Sequence, residues 1–175
     1  MQNKKFLSVY ELALFPMYAA LMVASKYAME ILPNIHLLSM FVMLFTVVYR
    51  AKALIIIYIF ALIMGVTAGF NVWWVPYLYI WTILWAATML IPKNISSKAA
   101  MVVYPVVCSL HGLLYGVLYS PFQALAFGYT FEQTLVWIAS GIPFDIIHGI
   151  SNFAMGFLVF PLAEVIKKAQ KYIYR

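Results

Sequence analysis

Long apolar runs alternate with short polar, proline or glycine interruptions along nearly the whole chain. They predict helices over Phe6–Leu32, Ile35–Tyr49, Ala53–Phe70, Val72–Ile91, Ala99–Tyr119 and Leu135–Ile166. Crossing a bilayer takes about 20 mostly apolar residues. The second run is short for that, and the third and fourth are separated only by "GFN" ahead of Trp73 and Trp74. Clearer breaks fall at Pro33, Arg50–Lys52, Pro92–Lys98 and Ser120–Gln133. The last of these, "SPFQALAFGYTFEQ", is apolar and aromatic, which predicts a loop lying on the membrane or covering a site. No internal repeat divides the chain. The expected fold is therefore an all-α integral membrane protein, a bundle of six transmembrane helices forming one domain over residues 1–175.

Charge adds an orientation. Six spans put both termini on one side, together with Lys4, Lys5, Arg50, Lys52, Lys93, Lys98, Lys167, Lys168, Lys171 and Arg175, leaving only Lys26 of the 11 basic residues elsewhere. Cytoplasmic loops carry the excess of lysine and arginine, so this side is the expected cytoplasmic one. Composition agrees: charged residues are 9% of the chain, against about 25% in a soluble domain. The net charge of +6 is thereby a topological signal, and nucleic-acid binding is not expected. Lys4 and Lys5 precede an apolar run as in a signal peptide, but no small-residue cleavage site follows, so the run is expected to be a retained span. Cys108 lies in an apolar run and implies neither a disulfide nor redox chemistry.

Polar residues inside spans are costly and mark bundle interiors or binding sites. The stretch "GIPFDIIHGISNF" of the last run places Asp145, His148 and Asn152 within an arc of about 60° on a helix, with Gly141, Gly149 and Gly156 near the same stripe. Two readings stay open: an internal hydrogen-bond network, or a face that contacts a ligand. A second stripe, His111, Tyr115 and Tyr119, runs at intervals of four beside Gly112 and Gly116, a GxxxG that favours helix packing. Trp74, Tyr77, Trp81, Trp85 and Thr88 share a third face. Trp73 and Trp74 fit an interfacial aromatic belt, whereas Trp81 lies too deep for one. Three adjacent polar-aromatic faces can make a pocket for an organic molecule with ring systems. Near the chain start, Ala20, Ala24 and Ala28 form a small-residue ridge that suits close helix packing, either within the bundle or against another subunit. Lys26 and Glu30 are spaced to pair, and His36 follows in a loop.

Familiar chemistry is largely excluded. No G-x-x-x-x-G-K-[ST] phosphate loop is present. His36, His111, His148 and Asp145 lack H-E-x-x-H or paired-cysteine spacing, so no metal is expected. Asp145 and His148 could serve an intramembrane enzyme as an acid–base pair, but no nucleophile is placed beside them, Ser151 lying about 60° to one side of His148.

The six-span pattern, the alanine ridge, the "LPNIHL" after the first run and "GIPFDIIHGISNF" in the last resemble the substrate-binding (S) components of energy-coupling factor (ECF) transporters, which import vitamins in bacteria and archaea. The resemblance covers essentially the whole chain. It implies a non-catalytic subunit in a prokaryotic cell membrane that binds its vitamin in an occluded pocket and carries no cofactor. It further implies docking through Ala20, Ala24 and Ala28 on a transmembrane coupling subunit, with two separate ATPases supplying energy. By position, the family's pocket corresponds to Trp74, Tyr77, Trp81, His111, Tyr115, Asp145, His148 and Asn152. The "PFDIIHGISN" stretch resembles a subgroup associated with cobalamin. Thiamine or its pyrimidine precursor is the competing substrate, with Asp145 pairing a cationic ring and the tryptophans stacking on it. The start "MQNKKFLSVY" lacks the early histidine of the nickel and cobalt members. A membrane-embedded enzyme and a ligand-free structural subunit remain the alternatives of a different class.

Overall fold

The computed structural model describes residues 7–173. Phe6, Lys4, Lys5 and Arg175, which help to place the first span and the basic side, lie outside the described residues. Eight α-helices account for most of these residues, with no strand among them: α1 Val9–Ala28, α2 Leu38–Tyr49, α3 Ala53–Ala68, α4 Tyr77–Met89, α5 Ser97–Leu113, α6 Tyr115–Phe127, α7 Phe131–Gly156 and α8 Val159–Ile173. Three helical stretches are long and apolar enough to cross a membrane: Leu38–Ala68, Ser97–Phe127 and Phe131–Gly156. The first of these turns at Arg50, whose φ is +54°, so that α2 and α3 pack against each other. Large apolar side chains also face outward, among them Leu125 at 83% exposure, Phe131 at 77% and Ile150 at 66%. Apolar surface on that scale needs a covering phase.

The apolar character of α2 continues all the way round, and a helix of that kind belongs at the centre. Every residue from Leu38 to Thr46 is buried, and α2 touches α1, α3, α4, α5, α7 and α8. One end of the bundle is basic and closely tied. Ser8 caps α1 and exchanges hydrogen bonds with Glu11, a capping box. The same Glu11 carboxylate accepts from Lys52 Nζ at 2.7 and 2.9 Å. Arg50 donates to Met89 O at 2.7 Å and to Ile91 O at 3.4 Å, satisfying carbonyls that the end of α4 leaves without helical partners. Trp85 Nε1 in turn donates to Arg50 O at 3.1 Å.

Three sequence expectations need correction. The segment Ser120–Gln133 is not a loop: α6 runs through it to Phe127, the chain turns at Gly128 with φ +67°, and α7 starts at Phe131. The last run divides near Phe157, leaving α8 as a separate helix packed on α2 and α5. Lys26 and Glu30 form no ion pair; the Lys26 ammonium lies 5.6 Å from the Tyr27 ring centroid.

Glycine governs how closely α5 and α6 approach α7. A Cβ on Gly112 would stand 2.8 Å from His148 O and 2.7 Å from Asn152 Nδ2, and one on Gly156 would stand 2.5 Å from Pro105 Cα. The approaches to His148 and Pro105 are to backbone and leave no room for a Cβ, so Gly112 and Gly156 serve packing. Ala20, Ala24 and Ala28, by contrast, are exposed on α1 and face away from the bundle.

Candidate functional site

Away from the basic end, four rings close a circuit. His36 of the α1–α2 connection lies 4.5 Å from His148 of α7, and His148 lies 4.8 Å from Tyr115 of α6. Tyr115 and His36 each stand 6.2 Å from Trp81 of α4. His111 of α5 packs on Trp81 at 5.5 Å and on Tyr115 at 6.1 Å. Tyr77 meets Trp81 edge-on at 5.7 Å, and Trp73 meets Tyr77 at 5.4 Å. The edge-to-face geometry is the one aromatic pairs prefer.

Two corners of the circuit carry buried polar atoms without a partner. Trp81 is fully buried and its Nε1 makes no hydrogen bond; His148 is 3% exposed and its Nε2 makes none either. Buried donors and acceptors of this kind are few in folded proteins and call for a missing partner such as water or a ligand. Asn152 Oδ1, one turn further along α7, is also buried and unpaired. Burial, with His148 and His111 alongside, holds the His36 imidazole below its ordinary pKa, so His36 is neutral at pH 7.

The other half of Asn152 is engaged. Its Nδ2 donates to Ser39 Oγ at 3.0 Å, and Ser39 Oγ faces His111 Nδ1 at 3.4 Å. His111 Nε2 lies 3.2 Å from Ile80 O. A carbonyl only accepts, so Nε2 carries the proton, Nδ1 accepts from the serine hydroxyl, and the serine oxygen must accept from an amide N–H. The chain thus fixes both the His111 tautomer and the orientation of the Asn152 amide. It links α7, α2, α5 and α4 at one level.

Asp145 has a different task. Both of its carboxylate oxygens accept from Gly116 N–H, at 3.2 and 3.1 Å, at the start of α6, where the helix has just bent at Leu114. A Cβ on Gly116 would stand 2.5 Å from Asp145 Oδ2, so the glycine is what lets the carboxylate in.

Of the eight residues that sequence pointed to, Tyr77, Trp81, His111, Tyr115 and His148 come together around the circuit. Asp145 and Asn152 spend at least part of their hydrogen bonding on bracing helices. Trp74 sits elsewhere, its Nε1 donating to Ala61 O at 2.6 Å and its ring against Phe70 at 5.0 Å. His36, Ser39 and Trp73 belong to the assembly but were outside the expected set. Beyond His36, a cavity of about 150 Å³ is lined by Lys26, Met29, Glu30, Leu32, Pro33, Asn34, Ile35 and His36 itself, so the His36 ring stands between this mouth and the buried circuit. Ser151 Oγ is buried without a hydrogen bond, as is His148 Nε2, so the two do not form a nucleophile–base pair. Among the described residues no three metal-ligating side chains gather into a site. Compared with known proteins, the chain matches no family model, no curated sequence and no solved structure.

What the arrangement can do follows from its parts. Flat rings offer stacking surface, and the unpaired buried atoms offer directional contacts. Binding pockets commonly combine apolar walls with a few placed polar groups in this way.

Proposed function

We propose that the chain is the substrate-binding S component of an ECF-type vitamin importer, a non-catalytic six-span subunit of a prokaryotic cell membrane with both termini in the cytoplasm. The observation that carries the reading is the pair of buried, unpaired side chains at Trp81 and His148 within a circuit of aromatic and imidazole rings. A ligand would give these atoms the partners that the packing of the chain does not. The far-end position of the circuit, opposite the Arg50 and Lys52 cluster, supports capture from outside. Exposure of Ala20, Ala24 and Ala28 on α1 supports docking on a coupling subunit, with two ATPases supplying energy that a chain lacking a phosphate loop does not.

Cobalamin is the first substrate to test, on the strength of the "PFDIIHGISN" resemblance. The size of the mouth favours a smaller vitamin as the second: about 150 Å³ is below the roughly 300–1,000 Å³ of ordinary ligand pockets, and a corrinoid requires the α1–α2 connection to swing well aside. Thiamine is that second candidate. The test is to purify the chain in detergent, identify co-purified small molecules by mass spectrometry, and titrate cobalamin and thiamine while following tryptophan fluorescence. Sub-micromolar, saturable binding of either vitamin is expected. Absence of binding by both, with nothing co-purified, removes the importer reading.

A further inference from the structure

We infer that the site takes an uncharged heteroaromatic ligand whose edge offers both a hydrogen-bond acceptor and a hydrogen-bond donor. The inference rests on the binding role proposed above and narrows its substrates: between thiamine, which carries a cationic ring, and its neutral pyrimidine precursor, it favours the precursor. It is read from atoms left unpaired in the buried part of the assembly: Trp81 Nε1, His148 Nε2 and Asn152 Oδ1, on residues 0%, 3% and 1% exposed.

Each atom sets one condition. An indole N–H can only donate, so the ligand must bring an acceptor to Trp81. The Asn152 amide is oriented by the Ser39–His111–Ile80 chain so that its oxygen is the free end, and a carbonyl oxygen only accepts. The ligand must therefore bring a donor to that side of the site. His148 Nε2 takes either role according to its tautomer. A hydrocarbon ring fills the circuit but leaves all three atoms unpaired, which is costly at this burial. A permanent cation gains from the aromatic faces but meets an outward-donating N–H at Trp81. No carboxylate of the circuit offsets its desolvation, because the nearest on α7, Asp145, is held by Gly116 N–H. Trp81 and His148 are bridged by His36 and by Tyr115 at contact distance, so a ligand reaches them by displacing the His36 ring that separates them from the mouth. Asn152 lies one turn from His148 on the same face of α7.

Three bicyclic probes of similar size separate the possibilities in calorimetric titrations of the whole purified chain. Quinazolin-4-one is neutral and carries a ring N–H beside a carbonyl. Its 3-methyl derivative lacks the donor, and 1-methylquinolinium is a permanent cation with neither group. Quinazolin-4-one is expected to bind at least tenfold tighter than either of the others, and Trp81→Phe, which keeps a ring and removes the N–H, to weaken it about tenfold with helix content unchanged. Equal binding of the three probes, or tightest binding of the cation, overturns the ligand class while leaving a binding role in place. Binding of cobalamin or thiamine with no binding of any probe overturns the class in the same way. If neither the vitamins nor the probes bind, the class and the importer reading fall together.

Discussion

The two ends of this bundle differ in how far their buried polar groups are satisfied. At the basic end, Glu11 satisfies the Ser8 backbone and Lys52 at once, while Arg50 closes the end of α4 and accepts from Trp85. At the far end, Trp81, His148 and Asn152 each keep an atom without a partner. The α7 stripe makes the same contrast within one helix: Asp145 is spent on Gly116, Asn152 is half spent on Ser39, and His148 is unspent. The basic end keeps one such atom as well, Arg50 Nε, but there the rest of the guanidinium is engaged. The unpaired atoms are thus concentrated on the far-end face of α7 and on the tryptophan opposite it, beside neighbours that brace helices.

The contrast can be broken hardest at the glycine crossing that holds the far end in place. Gly112→Leu drives a side chain into the backbone of His148 and Gly149 and is expected to cost about 3 kcal/mol or more, read as loss of a cooperative melt in detergent. Lys52→Met strips the partner from a Glu11 that is largely buried, with an expected cost of about 2 kcal/mol and no change in ligand affinity; a change in affinity above twofold would mean that the two ends are coupled. Asp145→Asn keeps one acceptor for Gly116 N–H and is expected to lower stability by about 1 kcal/mol, again without effect on binding. His148→Phe sharpens the contrast from the other side. It removes an unpaired buried nitrogen, so the melting temperature is expected to hold or rise, while ligand affinity falls at least tenfold.

A further effect concerns pH. The His36 pKa is lowered from 6.5 to about 3 by burial first, then by His148 and His111. The folded state therefore resists a proton that the unfolded chain accepts. The stability this represents is complete above pH 6.5 and is lost as pH falls towards the folded value. His36→Phe is expected to flatten the slope of melting temperature against pH between 6.5 and 4.5; an unchanged slope places the sensitivity elsewhere.

Much of the helix pattern was legible because apolar runs and charged breaks are local. The Arg50–Lys52 break and the extents of α2 and α3 follow directly from them. Residues 120–133 misled because Pro121 and an apolar composition read as a membrane-lying loop. The local signs of the true boundary were Gly128, which takes a left-handed φ, and Thr130 with Gln133, which close a capping box at the start of α7. Trp74 misled for a geometric reason. The 3-10 turn over Val72–Trp74 changes the rotation per residue, so the 100° phase of α4 does not extend back through it, and Trp73 is the tryptophan that reaches Tyr77. The division of the α7 stripe was not legible in any local pattern. It depends on a Gly116 N–H beside the bend at Leu114 and on Ser39 arriving from a helix more than a hundred residues away in sequence.

The near-continuous rod of α5 and α6 has a mechanical consequence. Helical hydrogen bonding carries across Leu114, where Leu114 and Leu118 bond to Leu110 and Leu114, and laid out straight the rod's 31 residues would span about 46 Å at 1.5 Å each. A bilayer's hydrocarbon core is about 30 Å thick. In a lipid environment the rod must lean, or its lipid neighbours must stretch to meet it. Since Tyr115 and Gly116 sit on this rod, just beyond the bend, membrane thickness becomes a lever on the ring circuit, and bilayers of graded chain length would tune ligand affinity without a single substitution.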